Sequence, residues 1–315
     1  MTRYALESPA REFADAAARS PLVYQMTVPR ARTVLESLQA APIHKPEVDS
    51  SWIVVAVDGV RCRTRIVRPS GWNRPLPVVL YLHGGGWVLG SAGTHDRFVR
   101  EIAVGVPAAV AFVDYERAPE ARYPRALEQA YAVARWIRHD GAGWALDADR
   151  MAVAGDSAGG NLAAALMLLA RRRGDVEFVH QSLYYPVTDA AQDTDSYREF
   201  ADGPHLTAQA MAWFWDAYVP DPGLRGEITA SPLRATVEQL AGLPPAFVLV
   251  GEYDVLRDEG EAYARKLIDA GLQCTSVRYG GTIHDFMVLN ALRTTSASTE
   301  AIGQAIHVLQ RALHS

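Results

Sequence analysis

Between the apolar run Met151–Ala154 and the Ala/Leu-rich run Asn161–Ala170 stands Gly155-Asp156-Ser157-Ala158-Gly159-Gly160, and no other stretch limits the fold of this chain as tightly. A short apolar run, a cluster of small residues and a helix-forming run read as strand, sharp turn, helix. A serine on such a turn is held in a strained backbone conformation with its hydroxyl standing clear, and the neighbouring glycines let strand and helix approach without a Cβ clash. The start of the helix also aims free amides and the positive end of its dipole at any negative charge forming beside Ser157. The arrangement suits acyl transfer through a serine. Small residues fill many turns, however, so the rest of the chain has to supply the partners.

The first partner is His83-Gly84-Gly85-Gly86-Trp87, directly after the apolar run Val78–Leu82 and therefore at the end of an expected strand. Successive glycines leave bare amides that can point donors at a developing oxyanion, with Ala158, the residue after the serine, adding another. The alternative is a mobile glycine loop. A dinucleotide fingerprint is excluded by spacing, because Gly84 and Gly86 would require a glycine at Leu89.

A serine hydroxyl is a poor nucleophile at neutral pH and needs a base, which a third group must orient. His284 follows the alternating stretch Thr275–Tyr279, the expected last strand, and precedes a C-terminal helix, a suitable place for a base. The acid belongs between serine and histidine in chain order. Asp254 fits, closing the apolar run Ala246–Val250 through Gly251-Glu252-Tyr253, whereas Asp258 and Glu259 read as first-turn acids of the next helix. His83 is expected to anchor its loop by hydrogen bonding. His205 falls in the expected lid as surface or pocket lining, and His44, His139, His307 and His314 read as surface residues.

Alternating strand and helix patterns over 315 residues, with 49% hydrophobic content, predict one large α/β domain, 1–315, built on a mostly parallel sheet flanked by helices. A net charge of −5 leaves no footprint for nucleic acid. The apolar runs fall short of a membrane span, and Met1–Ser20 mixes charges with alanine without a signal-peptide core, so a cytoplasmic location is expected. Cys62 and Cys274 sit in no redox or metal motif, and His-Glu-x-x-His, paired Cys-x-x-Cys and Walker motifs are missing from the sequence. The expected chemistry therefore needs no metal or cofactor.

Pattern breaks divide the chain into a catalytic core, about 47–188 and 226–315, and a helical cap from about 1–46 and 189–225. Strands are expected at Trp52–Val57, Arg61–Val67, Ala108–Val113 and Phe178–Tyr185, and a helix at Pro124–His139. In the second cap segment Met211, Trp215 and Tyr218 share a helical face. Trp87, Met211, Phe214 and Trp215 are candidates for lining an acyl pocket; the alternative is that such side chains pack cap against core. The C-terminal helix Ser296–Leu313 has apolar positions that suit either the core or a homodimer partner.

The segments around His83, Ser157 and His284, with Asp114-Tyr115-Glu116-Arg117-Ala118-Pro119-Glu120 and Leu256-Arg257-Asp258-Glu259-Gly260, together resemble the hormone-sensitive lipase family of α/β hydrolases, which includes bacterial family IV carboxylesterases and arylacetamide deacetylase-like enzymes. The resemblance runs from Trp52 to the C-terminus. It implies an α/β-hydrolase fold with Ser157 as nucleophile, Asp254 as acid and His284 as base. It further implies an oxyanion hole from the amides of Gly85, Gly86 and Ala158, with Gly84 shaping the turn, a two-part cap, and hydrolysis of short- to medium-chain esters. A deacetylase or amidase acting on one small metabolite would use the same machinery. A non-catalytic ligand-binding protein on the same scaffold, like the plant gibberellin receptors, would lack the base that is present here. Two departures stand out: Asp254-Val255-Leu256 replaces Asp-Pro-Leu, and His284-Asp285-Phe286 replaces His-Gly-Phe. Asp285 puts a carboxylate beside the base, where it can raise the base's pKa, turn to solvent or bias substrate choice.

Overall fold

Alternation of apolar residues along the strands fixes which side chains face which layer of the molecule. In the computed structural model, which describes residues 4–314, eight strands form one sheet: β1 (Val48–Val57), β2 (Val60–Pro69), β3 (Leu76–Leu82), β4 (Ala109–Asp114), β5 (Leu146–Asp156), β6 (His180–Tyr184), β7 (Ala246–Tyr253) and β8 (Cys274–Ile283). Residues 1–3 and 315, the outermost parts of the expected single domain and of its first cap segment, lie outside the described residues. The strand order is β1-β2-β4-β3-β5-β6-β7-β8. β2 is antiparallel to both β1 and β4, and every other neighbouring pair is parallel. Asp58 and Gly59, both at positive φ (50° and 79°), close the β1–β2 hairpin, a dipeptide suited to that turn.

The helices are α1 (Ser8–Ala17), α2 (Val28–Gln39), α3 (Asp96–Gly105), α4 (Arg125–Asp140), α5 (Ala158–Arg173), α6 (Asp195–Glu199), α7 (Ala208–Tyr218), α8 (Val237–Leu240), α9 (Arg257–Asp269) and α10 (Ser296–His314). Val78, Leu80 and Leu82 of β3 face the layer of α4, α5 and α9, while Val79 and Tyr81 face α3 and α10. Burial on both faces explains why β3 is apolar throughout instead of alternating with polar residues. The apolar stripe of α10, Ala301, Ile302, Ala305, Leu309 and Leu313, is spent on the core. Among the described residues no helix is long and apolar enough to cross a membrane.

The chain leaves β3 to build β4 on one side and then returns to lay β5 on the other, so the loops after β3 and β5 open a crevice between them. Leu82 pairs with Gly155, which sets the glycine loop directly beside the Ser157 turn. Above that crevice, Gln39 at the end of α2 donates to the carbonyls of Thr94 (2.8 Å) and Val288 (2.9 Å) and accepts from the Asn290 amide (2.9 Å). One buried glutamine thus ties α2 to the loops on either side of the crevice.

Candidate active site

Ser157 sits between β5 and α5 with φ 54° and ψ −120°, a strained conformation for a non-glycine residue that costs about 1–3 kcal/mol. Its surroundings enforce that conformation. The Ser157 amide donates to Tyr184 O (2.8 Å), while its carbonyl accepts from Asn161 (3.1 Å) and Val187 (3.2 Å). A side chain at Gly159 would run into the Leu82 carbonyl, so only glycine lets α5 begin this close to β3.

The loops beyond β7 and β8 bring two further groups to the serine. His284 Nε2 lies 2.9 Å from Ser157 Oγ, and His284 Nδ1 lies 2.6 Å from Asp254 Oδ2. Asp254 Oδ1 accepts the Leu256 amide at 2.9 Å, so both carboxylate oxygens are engaged. With Asp254 ionised, Nδ1 carries the proton and Nε2 is left to accept from the serine hydroxyl. All three residues are buried, and the Tyr185 ring packs edge-on against the imidazole at 5.0 Å. Burial opposes charging His284, but Asp254 and then Asp285 outweigh it and raise its pKa to about 9. Asp258 lies elsewhere, accepting the Ser196 amide (2.7 Å) and pairing with Arg257 (2.8 Å).

The glycine loop is built for bare backbone. Gly85 and Gly86 adopt φ of 104° and 60°, and both line the cavity over Ser157. A Cβ on Gly84 would collide with Asp156. Ala158 opens α5, and its amide has no acceptor within the helix. His83 stacks between Phe112 (5.4 Å) and Tyr115 (4.2 Å), its Nδ1 donates to Gly84 O (2.8 Å), and Tyr115 donates to its carbonyl (2.7 Å). Burial, and then the neighbouring His95, keep its pKa well below the ordinary histidine value.

Over the serine lies a cavity of about 290 Å³, walled by apolar side chains of α1, α2 and α7. Met211 and Phe214 line it; Trp87 and Trp215 do not, which corrects the expectation for those two. Trp87 stacks on Tyr218 at 4.4 Å and meets Trp215 at 4.7 Å, both indoles fully buried where α7 joins the core. His205 lines the cavity and touches Phe13 edge-on at 5.2 Å.

The polar support beneath the serine carries almost no signal in the sequence. Asp156 Oδ1 accepts from Tyr81 (2.5 Å), and Oδ2 lies 3.2 Å from His95 Nε2, whose Nδ1 meets Thr94 Oγ1 at 2.8 Å. Burial disfavours charge on His95, but Asp156 more than offsets it and the pKa rises. Only the place of Asp156 inside the serine turn hinted at this cluster.

With this geometry in view, the chain matches a family model described as the α/β hydrolase fold over residues 79–288. It is 38% identical over 287 residues to the carboxylesterase NlhH of Mycobacterium tuberculosis, covering 90% of this chain and 89% of that one. It is 34% identical over 280 residues to the ethyl acetate hydrolase of Pseudomonas putida, covering 88% and 87%. A crystal structure of a thermostable esterase from Pseudomonas putida superposes with a TM-score of 0.96 at 43% identity, over 99% of both chains.

Proposed function

The chain belongs to the α/β hydrolases of the hormone-sensitive lipase type, and from that premise we propose that it acts as a serine carboxylesterase on short- to medium-chain esters, through an acyl-enzyme formed on Ser157. It is a carboxylic ester hydrolase; the residue roles and the chain-length range are our reading. The observation that carries them is the unbroken line of hydrogen bonds Ser157–His284–Asp254 on the floor of an apolar cavity.

His284 Nε2 takes the Ser157 proton as Oγ attacks the ester carbonyl, and Asp254 favours the imidazolium that forms. The amides of Gly85, Gly86 and Ala158 receive the oxyanion. His284 then protonates the departing alcohol, and a water activated by the same nitrogen releases the acid. The helical segments at about 1–46 and 189–225 serve as a cap that excludes bulk water and holds the acyl chain. A volume of about 290 Å³ is at the small end for ligand sites, which fits short acyl groups, as does the relative named for ethyl acetate. We place the enzyme in the cytoplasm with a small ester as its partner, a setting that the free thiols of Cys62 and Cys274 suit.

The test is hydrolysis of p-nitrophenyl esters of increasing acyl length by the unmodified protein and by Ser157→Ala. Activity peaking at short to medium chains and abolished in the variant is the expected result. A protein inert on every ester would favour the amide-cleaving alternative, and activity retained by Ser157→Ala would remove the serine from the mechanism.

A further inference from the structure

Asp285 follows the base at φ 62°, a left-handed conformation that aspartate tolerates better than most side chains. From there its carboxylate turns neither fully to solvent nor into the core but into the wall of the cavity, and the side chain is about a quarter exposed. Oδ1 lies 3.4 Å from His284 Nε2, the nitrogen that also meets Ser157 Oγ, and Oδ2 lies 3.6 Å from His205 Nε2. The carboxylate is therefore one imidazole nitrogen away from the reacting oxygen.

The rest of the wall gives this carboxylate its meaning. Among the described residues lining the cavity, Asp285 is the only acid, and there is neither lysine nor arginine. α1 contributes Phe13 and alanines, α2 contributes Ala31, Val34, Leu35 and Leu38, and α7 contributes Met211 and Phe214. The groups that face Asp285 and can carry charge are His284 and His205, with His95 behind them. Burial would raise the Asp285 carboxyl, but His284, then His205 and His95, outweigh it and hold it at about 2. Its quarter exposure to water and its contact with His205 favour the carboxylate after His284 has given up its proton. When His284 is neutral and ready to act as base, the partner left to Asp285 in the cavity wall is His205 at 3.6 Å, and no lysine or arginine lines the cavity to balance the carboxylate. Low-dielectric walls strengthen the field of such a charge and focus it on a bound ligand.

We propose that Asp285 is a specificity-determining residue that favours esters carrying an ammonium group close to the scissile carbonyl and disfavours esters carrying a second, anionic carboxylate there. The inference rests on the ester-hydrolase reading and adds a substrate class to it. The cation takes the place beside Asp285 that bulk water would otherwise fill, and no bond to Asp285 forms or breaks.

The test uses substrate pairs of matched shape, so that any effect of Asp285 on the base itself cancels within each enzyme. Acetylcholine is compared with its neutral isostere 3,3-dimethylbutyl acetate, and monoethyl succinate with ethyl butyrate, by pH-stat titration of the unmodified protein, Asp285→Asn and Asp285→Gly. The glycine variant suits the left-handed backbone and guards against misfolding of the first. The expected result is a cationic preference in kcat/KM of about tenfold or more in the unmodified protein, with a similar penalty on the succinate monoester, both collapsing to about twofold in the variants. Equal rates within each pair for the unmodified protein, or a preference that survives in both variants, overturn the proposal. A change in overall rate or pH profile with unchanged ratios means that Asp285 only tunes the base. If both neutral esters are left intact, the ester-hydrolase reading fails and the proposal falls with it.

Discussion

A single methyl group at Gly86 tests the proposed oxyanion hole. The glycine has φ 60°, and a Cβ built there would overlap the Phe214 ring. The left-handed backbone alone costs an alanine about 1–2 kcal/mol. The overlap must then be relieved by the loop or by the ring. Phe214 is 5% exposed and braced edge-on by Trp213 at 5.2 Å, whereas the loop is made of glycine, so the loop yields and carries its amide away from the oxyanion position. Losing one such donor lowers kcat by about 10²- to 10³-fold, or about 3–4 kcal/mol of transition-state stabilisation. Gly86→Ala should therefore lose kcat on p-nitrophenyl butyrate in that range, with KM changed much less and with a cooperative thermal unfolding transition retained. Truncating the ring in the Gly86→Ala/Phe214→Ala double variant should recover about tenfold of the lost kcat relative to additivity, a coupling of about 1.4 kcal/mol. A kcat for Gly86→Ala within about threefold of the unmodified protein, with KM unchanged as well, would remove the Gly86 amide from the hole. A rise in KM with kcat preserved would mean that the ring, not the loop, had moved. Strict additivity in the double variant would show that Phe214 does not hold the loop.

A base whose pKa is raised to about 9 must lose its proton before it can accept one from Ser157, so kcat/KM should climb through neutral pH and level off above about 9; a plateau already complete at pH 6 contradicts the charge balance around His284. Asp285→Asn removes one of the carboxylates that raise this pKa and should move the limb to lower pH. The same shift acts on stability. A histidine raised in the folded state contributes fully below its unfolded value of about 6.5 and loses that contribution as pH rises through about 9, which thermal unfolding across that window should register in the unmodified protein more than in His284→Ala. Met211→Trp, enlarging a side chain on the wall of a cavity of about 290 Å³, should shift the acyl-length optimum toward acetate and leave acetate hydrolysis within about threefold; an unchanged profile would place the acyl group elsewhere.

How far the sequence could be read depended on whether a feature was local. The serine turn, the glycine loop and the acid and base beyond their strands carry their signals within a few residues, and the sheet brings them together because each stands at the same end of β3, β5, β7 or β8. Helix α3 repeats Phe98, Val99, Ile102 and Ala103 at helical spacing, but its N-cap residue, His95, provides no side-chain cap, so its start carries no local signal after the glycine loop. Glu259 does stand in the first turn of α9 but is buried, accepting the amides of Thr188 (2.5 Å) and Asp189 (3.3 Å), and burial pushes its carboxyl well up. No local pattern distinguishes such an acid from a solvated first-turn residue. The aromatic residues of α7 posed the same difficulty. Met211, Phe214, Trp215 and Tyr218 share one helix, but only the first two face the cavity, since Tyr218 and Trp215 are drawn to Trp87, a residue far away in sequence.

Those long-range contacts imply that the chemistry and the selectivity of the site are mechanically joined. Gln39 clamps α2 to the carbonyls of Thr94 and Val288, one beyond the glycine loop and the other beyond the base, while Phe214 of α7 bears directly on Gly86. The cavity wall therefore also braces the strand-end loops of the proposed oxyanion hole and base. Substitutions that resize the cavity without touching these braces should alter substrate choice alone. Substitutions at Gln39 or Phe214 should alter rate and choice together, because moving the wall there moves an amide of the proposed oxyanion hole or the loop that carries the base.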